Sequence, residues 1–214
     1  MLLAHHPQAL AALREPTLAD PWRVLCSGCL LGWGCGVDGT DYGLGRVLPA
    51  FLALPKLRPF PFCPEQHALG TPRAMPDIHG GDGVDVVDGR ARVLSEQGDD
   101  LTEKMLEGAR AMLAFAREHA IELAVLTDMS AACGTQVISD GCRLVPARRW
   151  QRGVGVAAAL LLDAGLPIVS QRDHLTLARL RARLEPSYAP PADARDHHQH
   201  PWVLEHLPGR HPRV

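Results

Sequence analysis

Short apolar segments alternate along the chain with stretches whose apolar residues recur at helical spacing, and this alternation restricts the fold more than any other feature. The segments of strand type cover residues 23–26, 57–63, 122–126 and 166–170. The helical patterns cover residues 47–54, 101–116, 153–162 and 173–184. Because strands that alternate with helices form crossover units, the sequence predicts an α/β domain with a mostly parallel sheet flanked by helices.

A hairpin and two terminal segments complete the predicted organisation. The dipeptide Asp88-Gly89 lies between two β-like runs within residues 84–94, which predicts a β-hairpin. The chain has 214 residues, a length typical of one domain. We expect an N-terminal extension over residues 1–21, a single Rossmann-like domain over residues 22–185, and an extended, Pro/His-rich tail over residues 186–214.

Charge and hydropathy narrow the class of protein. The formal net charge of −2 argues against a protein whose main role is to coat nucleic acid. No stretch approaches the roughly 20 consecutive apolar residues of a membrane-spanning helix, and residues 1–21 lack the apolar centre of a secretory signal. We therefore expect a cytoplasmic protein with no membrane partner. Because the cytoplasm keeps thiols reduced, the six cysteines are expected to be ligands, catalysts or buried residues rather than disulfides.

Three cysteines each follow an apolar segment and lie in the loop just beyond it: Cys29, Cys63 and Cys133. The carboxyl ends of parallel strands meet at one edge of a sheet, so thiols that are far apart in sequence can converge there. Thiolates select iron–sulfur clusters, zinc or copper(I), and a structural zinc site usually takes four protein ligands. Three cysteines with glycines beside two of them suggest a cluster with one iron left open. Ordinary burial of each cysteine in the core is the alternative that the spacing leaves open.

The other three cysteines give weaker signals. Cys26 and Cys29 form a Cys-x-x-Cys pair, which is typical of a redox pair or of half a zinc site. A thioredoxin-type pair begins a helix, whereas this pair ends a strand. Cys35 and Cys142 have no partner at a diagnostic spacing and are interpreted as bystanders, although Cys35 shares a glycine-rich loop with Cys29. A cysteine-ligated zinc or redox-sensing module without turnover is therefore the alternative to an enzyme.

An ordered set of motifs between residues 22 and 173 resembles the thiouracil desulfurase (TudS-like) family, formerly known only as a domain of unknown function. The motifs are Ser27-Gly-Cys29-Leu-Leu-Gly32, Asp38-Gly39, Cys63-Pro-Glu65, Thr71-Pro72-Arg73, Gly81-Asp-Gly-Val-Asp-Val, Ser130-Ala-Ala-Cys133-Gly134, Gly153-Val-Gly-Val-Ala-Ala-Ala-Leu-Leu and Val169-Ser170. Because they occur in the family's order, the resemblance is more specific than any one of them.

The resemblance implies a cofactor, a site and a reaction. It implies a [4Fe-4S] cluster on Cys29, Cys63 and Cys133, with one iron not bound by a protein cysteine. It also implies that Glu65 and Ser130 are the catalytic side chains. The implied reaction is a non-redox hydrolysis that replaces the thiocarbonyl sulfur of a thiolated pyrimidine, such as 2-thiouracil, by oxygen. In it, the open iron binds the substrate sulfur and acts as a Lewis acid.

The sequence departs from the family pattern around the expected substrate pocket. Gly28 replaces the usual Ala, Ala131-Ala132 follows Ser130 where the family has Pro-Ser, and Gly36-Val37 replaces an aromatic-basic pair. Relatives that act on thiolated tRNA carry an additional C-terminal domain, and this chain has only a short tail. The resemblance therefore implies a small thiolated nucleobase or a related thioamide as substrate, with thiolated tRNA as the alternative.

Overall fold

The computed structural model describes residues 7–207 and contains a four-stranded parallel sheet. Its strands are β1 Trp22–Ser27, β2 Leu57–Phe62, β5 Leu123–Leu126 and β8 Ile168–Ser170, in the order β2-β1-β5-β8. Val24 pairs with Pro59 on one side and with Leu123 on the other, and Val125 pairs with Val169. The predicted α/β class and the predicted parallel sheet are confirmed. The other strands of the described residues are β3 Asp77–His79, β4 Arg92–Leu94, β6 Val137–Ser139 and β7 Trp150–Arg152.

Helices cover both faces of the sheet, because successive residues of each central strand point to opposite sides. Leu25 and Ala124 join one apolar cluster with the helices α5 (Thr102–Glu118) and α6 (Val156–Asp163). Val24 and Val125 join another with α2 (Pro49–Leu52) and α7 (His174–Leu184). Within residues 7–207, no helix is both long enough and apolar enough to cross a membrane. The other helices of the described residues are α1 Pro7–Ala11, α3 Pro64–Leu69, α4 Gly83–Val87 and α8 Pro201–His206.

The predicted hairpin around Asp88-Gly89 is the main difference in secondary structure. An antiparallel pair is present, but it joins β3 to β4, and the expected first arm is the helix α4. Asp82 explains the difference: its carboxylate accepts the amides of Val84 and Asp85 and caps a helix where β-branched residues alone suggested a strand. Side-chain capping thus outweighs strand propensity here.

The C-terminal segment also differs from the extended tail that we expected. Residues 197–199 form a 3-10 turn, α8 follows it, and the side chains of His197 and Val203 are buried. The Asp196 carboxylate accepts the amide and the hydroxyl of Thr176 in α7, which attaches the segment to the domain. Residues 208–214 of the expected tail lie outside the described residues.

Gly155 lets the start of α6 approach the loop that carries Cys133. A β-carbon at this position would lie 2.4 Å from the carbonyl group of Ala132. The amides of Val156 and Ala157 donate to the carbonyl oxygens of Ala131 and Ala132, at 2.9 Å each. Gly155, in the Gly153-Val-Gly155 motif at this helix start, therefore serves close packing.

Replacing Gly155 by Ala is expected to lower the free energy of unfolding by about 1–3 kcal/mol, because backbone atoms must move to admit the methyl group. Chemical denaturation measures the change. Gly98→Ala is the comparison: this glycine has a φ of +92° and open space around it, so only backbone strain is added. A loss in Gly155→Ala of less than about 1 kcal/mol would contradict the packing role of Gly155.

Candidate metal and catalytic centre

The carboxyl ends of β1, β2 and β5 meet at one edge of the sheet and open into a cavity of about 300 Å³. Cys29 lies in the 3-10 turn that follows β1, and Cys63 follows β2 as the N-cap residue of α3. Ser130 and Cys133 lie in the loop after β5, and Glu65 lies in the first turn of α3. All five predicted site residues line this cavity.

Four thiols meet in the cavity, because Cys35 lies with Cys29, Cys63 and Cys133. Cys35 hydrogen bonds both Cys29 and Cys63, and these contacts raise the pKa of the Cys35 thiol. The same contacts lower the pKa values of Cys29 and Cys63, so these two thiols ionise more readily than Cys35. Burial raises the pKa of Cys133 well above its usual value. A soft donor set of this kind suits an iron–sulfur cluster.

The structure corrects the interpretation of Cys35 as a bystander. No local spacing distinguished Cys35, because the path of the glycine-rich loop brings its thiol into the same cavity as those of Cys29 and Cys63. Cys26 does not line the cavity. Its side chain is fully buried in the apolar cluster that β1 forms with α2 and α7. The Cys26-x-x-Cys29 pair therefore does not form a joint binding site in this structure. Cys142 does not line the cavity.

Glu65 is held on both sides. Its Oε1 accepts the hydroxyl hydrogen of Ser130 at 2.9 Å, and its Oε2 accepts Arg73 Nη2 at 2.7 Å. The Arg73 side chain is only 5% exposed, and its Nη2 also donates to the carbonyl oxygen of Cys35 at 2.9 Å. The guanidinium thus fixes the direction of the carboxylate relative to the thiols. The sequence motif contained Arg73, but its spacing gave no role for it.

Backbone hydrogen bonds shape the loop that carries Ser130 and Cys133. The Ser130 Oγ accepts the amides of Ala132 and Cys133, at 3.2 and 3.0 Å. Thr127 precedes this loop, and its Oγ1 lies 3.0 Å from the Sγ of Cys29. Asp128, buried and missed by the sequence analysis, lies at the start of the loop and also lines the cavity. The hydroxyl of Ser130 therefore supports the loop as well as contacting Glu65.

Comparison with known proteins assigns the family. The sequence profile of the 2-thiouracil desulfurase family matches residues 24–173, which is more than half of the chain. The chain belongs to the 2-thiouracil desulfurase family. The resemblance found from the motifs is thus confirmed. Residues 174–214 of this desulfurase family member lie beyond the match.

Two known proteins are similar to this desulfurase family member over most of its length. The uncharacterized protein YbbK of Bacillus subtilis (strain 168) is 32% identical over 151 residues, which are 70% of this chain and 96% of YbbK. The solved structure of a [4Fe-4S]-dependent thiouracil desulfidase, TudS, is similar with a TM-score of 0.59 and 28% identity. That similarity covers 75% of this chain and 98% of the TudS chain.

Thiol reactivity tests the electrostatics of the centre. In reduced, cluster-free protein, iodoacetamide is expected to alkylate Cys29 and Cys63 faster than Cys26, because thiolates react and burial raises the pKa of Cys26 to about 12. Peptide mass spectrometry at short reaction times measures the order. Cys142, which is partly exposed, is the reference for access. Alkylation of Cys26 as fast as Cys29 in folded protein would contradict the assignment.

Proposed function

We propose that this chain is a [4Fe-4S]-dependent desulfurase that replaces the thiocarbonyl sulfur of a thiolated pyrimidine, such as 2-thiouracil, by oxygen. The observation that carries the proposal is the convergence of soft thiol donors with a hydrogen-bonded carboxylate and hydroxyl, Glu65 and Ser130, in one cavity. Thiolates select iron–sulfur clusters, and a carboxylate beside such a cluster can transfer protons. Family membership and the similarity to a [4Fe-4S]-dependent desulfidase support the same reaction.

The donor set fits such a cluster. Cys29, Cys63 and Cys133, the set that the resemblance implies, would hold it, because each follows a different strand of the sheet and their thiols reach one cavity. Cys35 also lines the cavity but lies further along the loop between β1 and β2, and it is not part of the proposed ligand set. Lowered pKa values favour the thiolate forms of Cys29 and Cys63, which are the forms that bind iron. When bound, the cluster would supply an iron not held by a cysteine, a Lewis acid for the substrate's thiocarbonyl sulfur.

Glu65 is the proposed base. Its carboxylate takes a proton from the water whose oxygen adds to the thiocarbonyl carbon, while Arg73 keeps the carboxylate directed into the cavity. Ser130 passes a proton between Glu65 and the substrate through its hydroxyl, which already contacts Oε1. The C–S bond then breaks and sulfur leaves as hydrosulfide. Oxygen replaces sulfur at the same oxidation state, so no electron donor is needed.

The cavity walls favour a small ring as substrate. Apolar side chains of Tyr42, Leu44, Phe62 and Met75 line the cavity beside the thiols. Such walls bury the faces of a heteroaromatic ring. A cavity of about 300 Å³ does not enclose a folded polynucleotide, and a tRNA would have to present its thiolated base flipped out of the stack. We therefore propose a free thiolated nucleobase as the substrate, in the reducing cytoplasm where the thiols persist.

Anaerobic reconstitution tests the proposed function. Protein loaded with iron and sulfide is expected to be brown and to contain about four irons per chain. It is expected to convert 2-thiouracil to uracil with release of one sulfide for each uracil formed, measured by chromatography and a sulfide assay. Mock-reconstituted protein is the control. Colourless, zinc-containing protein with no acid-labile sulfide would instead establish the binding-module alternative, and turnover of thiolated tRNA alone would exclude the free base.

A further inference from the structure

The segment beyond the family match inserts a histidine behind the centre. The imidazole of His197 is 6% exposed, and its Nδ1 lies 2.6 Å from the Oδ2 of Asp128, whose side chain is fully buried. The amide of His197 donates to Asp173 Oδ1 at 3.0 Å, which fixes the backbone of this turn. Asp128 itself lines the cavity that holds the thiols. A residue outside the matched region therefore contacts the wall of the site.

Asp128 in turn organises the loop that carries Ser130 and Cys133. Its Oδ1 accepts backbone amides from both ends of that loop, at distances of 2.8 to 3.2 Å: those of Met129, Thr135, Gln136 and Val137. Burial by itself would raise the pKa of Asp128, but the contacts with His197 and with these amides outweigh it and lower the pKa. The carboxylate therefore stays ionised and keeps accepting the loop amides.

Asp128 Oδ2 has a second contact, which is weaker than the one with His197. Ser170 Oγ lies 3.4 Å from it, at the long end of the hydrogen-bond range, and shares its hydrogen with Gln171 Oε1 at 3.2 Å. Loss of the His197 contact would leave a buried carboxylate oxygen without adequate compensation, and such groups draw in water or a proton. Either change weakens the carboxylate as an acceptor for the loop amides.

We propose that His197 is a positioning residue: by hydrogen bonding Asp128 it holds residues 128–137 in the arrangement that places Ser130 and Cys133 at the cavity. The segment beyond the family match is then part of the working site. The effect on catalysis rests on the proposed function, whereas the effect on the loop does not. The two are therefore tested by separate measurements.

Hydrogen–deuterium exchange of the cluster-free full-length chain tests the loop. In His197→Ala, peptides that contain the amides of residues 135–137 are expected to exchange at least about tenfold faster than in the wild type, because the acceptor is weakened. Asn places an amide nitrogen where the imidazole has Nδ1, so His197→Asn is expected to restore slow exchange. Gln places it one carbon further out, so His197→Gln is expected to exchange fast. His206→Ala, an exposed position on α8, is the matched control.

Each outcome bears on the proposal. Unchanged exchange in His197→Ala, or equally fast exchange in the Asn and Ala variants, would overturn it. If His197→Ala does not fold, the comparison of His197→Asn with His197→Gln tests the proposal. Equal exchange rates of the amides of residues 135–137 in these two variants would overturn it. In reconstituted protein, the Ala variant is expected to lose about tenfold in kcat with KM little changed and with rescue by Asn. A wild type without desulfurase activity would refute the proposed function and leave the exchange result standing.

Discussion

Cys133→Ser is expected to abolish cluster binding and, with it, sulfide release from 2-thiouracil. A serine hydroxyl is a hard, weakly acidic donor that does not replace a thiolate on iron. After anaerobic reconstitution, iron should fall from about four per chain to less than about one, and the broad visible absorption should disappear. Iron and acid-labile sulfide analysis measure the loss directly.

The fold is expected to survive this substitution. Cys133 is 6% exposed, and a buried hydroxyl without a partner would cost about 1–3 kcal/mol, but Ser27 hydrogen bonds this position and can compensate. Cys142→Ser is the matched control, because Cys142 lies outside the cavity, and it should keep full iron content. A Cys133→Ser protein that binds iron like the control would remove Cys133 from the proposed ligand set.

Glu65→Gln is expected to keep the cluster and to lower kcat by about 100- to 10,000-fold, the usual contribution of a general base. Glutamine preserves the shape of the side chain. Its amide oxygen can still accept Arg73, so this contact persists. The contact with Ser130 weakens, because Ser130 Oγ already accepts the amides of Ala132 and Cys133 and has no lone pair left for the glutamine NH₂ group. The main loss is the ability to take a proton. Steady-state kinetics of the reconstituted variant measure the change.

Glu107→Gln is the control for this substitution. Glu107 lies on the exposed face of α5, so its replacement removes the same charge outside the cavity. Its kcat is expected to match that of the wild type. Iron content has to be equal in the three proteins for the comparison to hold. A Glu65→Gln variant with wild-type kcat and full cluster content would show that Glu65 is not the base that takes the proton from water.

Much of the fold followed from local patterns. Each strand of the parallel sheet agrees with a predicted segment to within two residues at either end, because buried parallel strands are short apolar runs with glycine or proline at their ends. The convergence of Cys29, Cys63 and Cys133 followed from the rule that carboxyl ends of parallel strands share one edge. These features depend on one segment at a time, or on a general property of the sheet.

The remaining features depend on contacts between distant parts of the chain. Cys35 enters the site through the path of a glycine-rich loop, and Arg73 through its contact with Glu65. The C-terminal segment folds because Asp196 and His197 find partners on α7 and behind the cavity. Sequence patterns record which residues are apolar, but they do not record which buried polar groups satisfy one another.

The outer strand of the sheet has a consequence for self-association. β2 is an edge strand and carries Pro59 and Pro61, which have no N–H group. Prolines at a sheet edge remove donors that a strand from another molecule would need in order to add to the sheet. Cys63 follows this strand directly, so the edge leads to a residue of the thiol-lined cavity. The two prolines therefore disfavour the addition of a strand from a second molecule next to the reactive thiols.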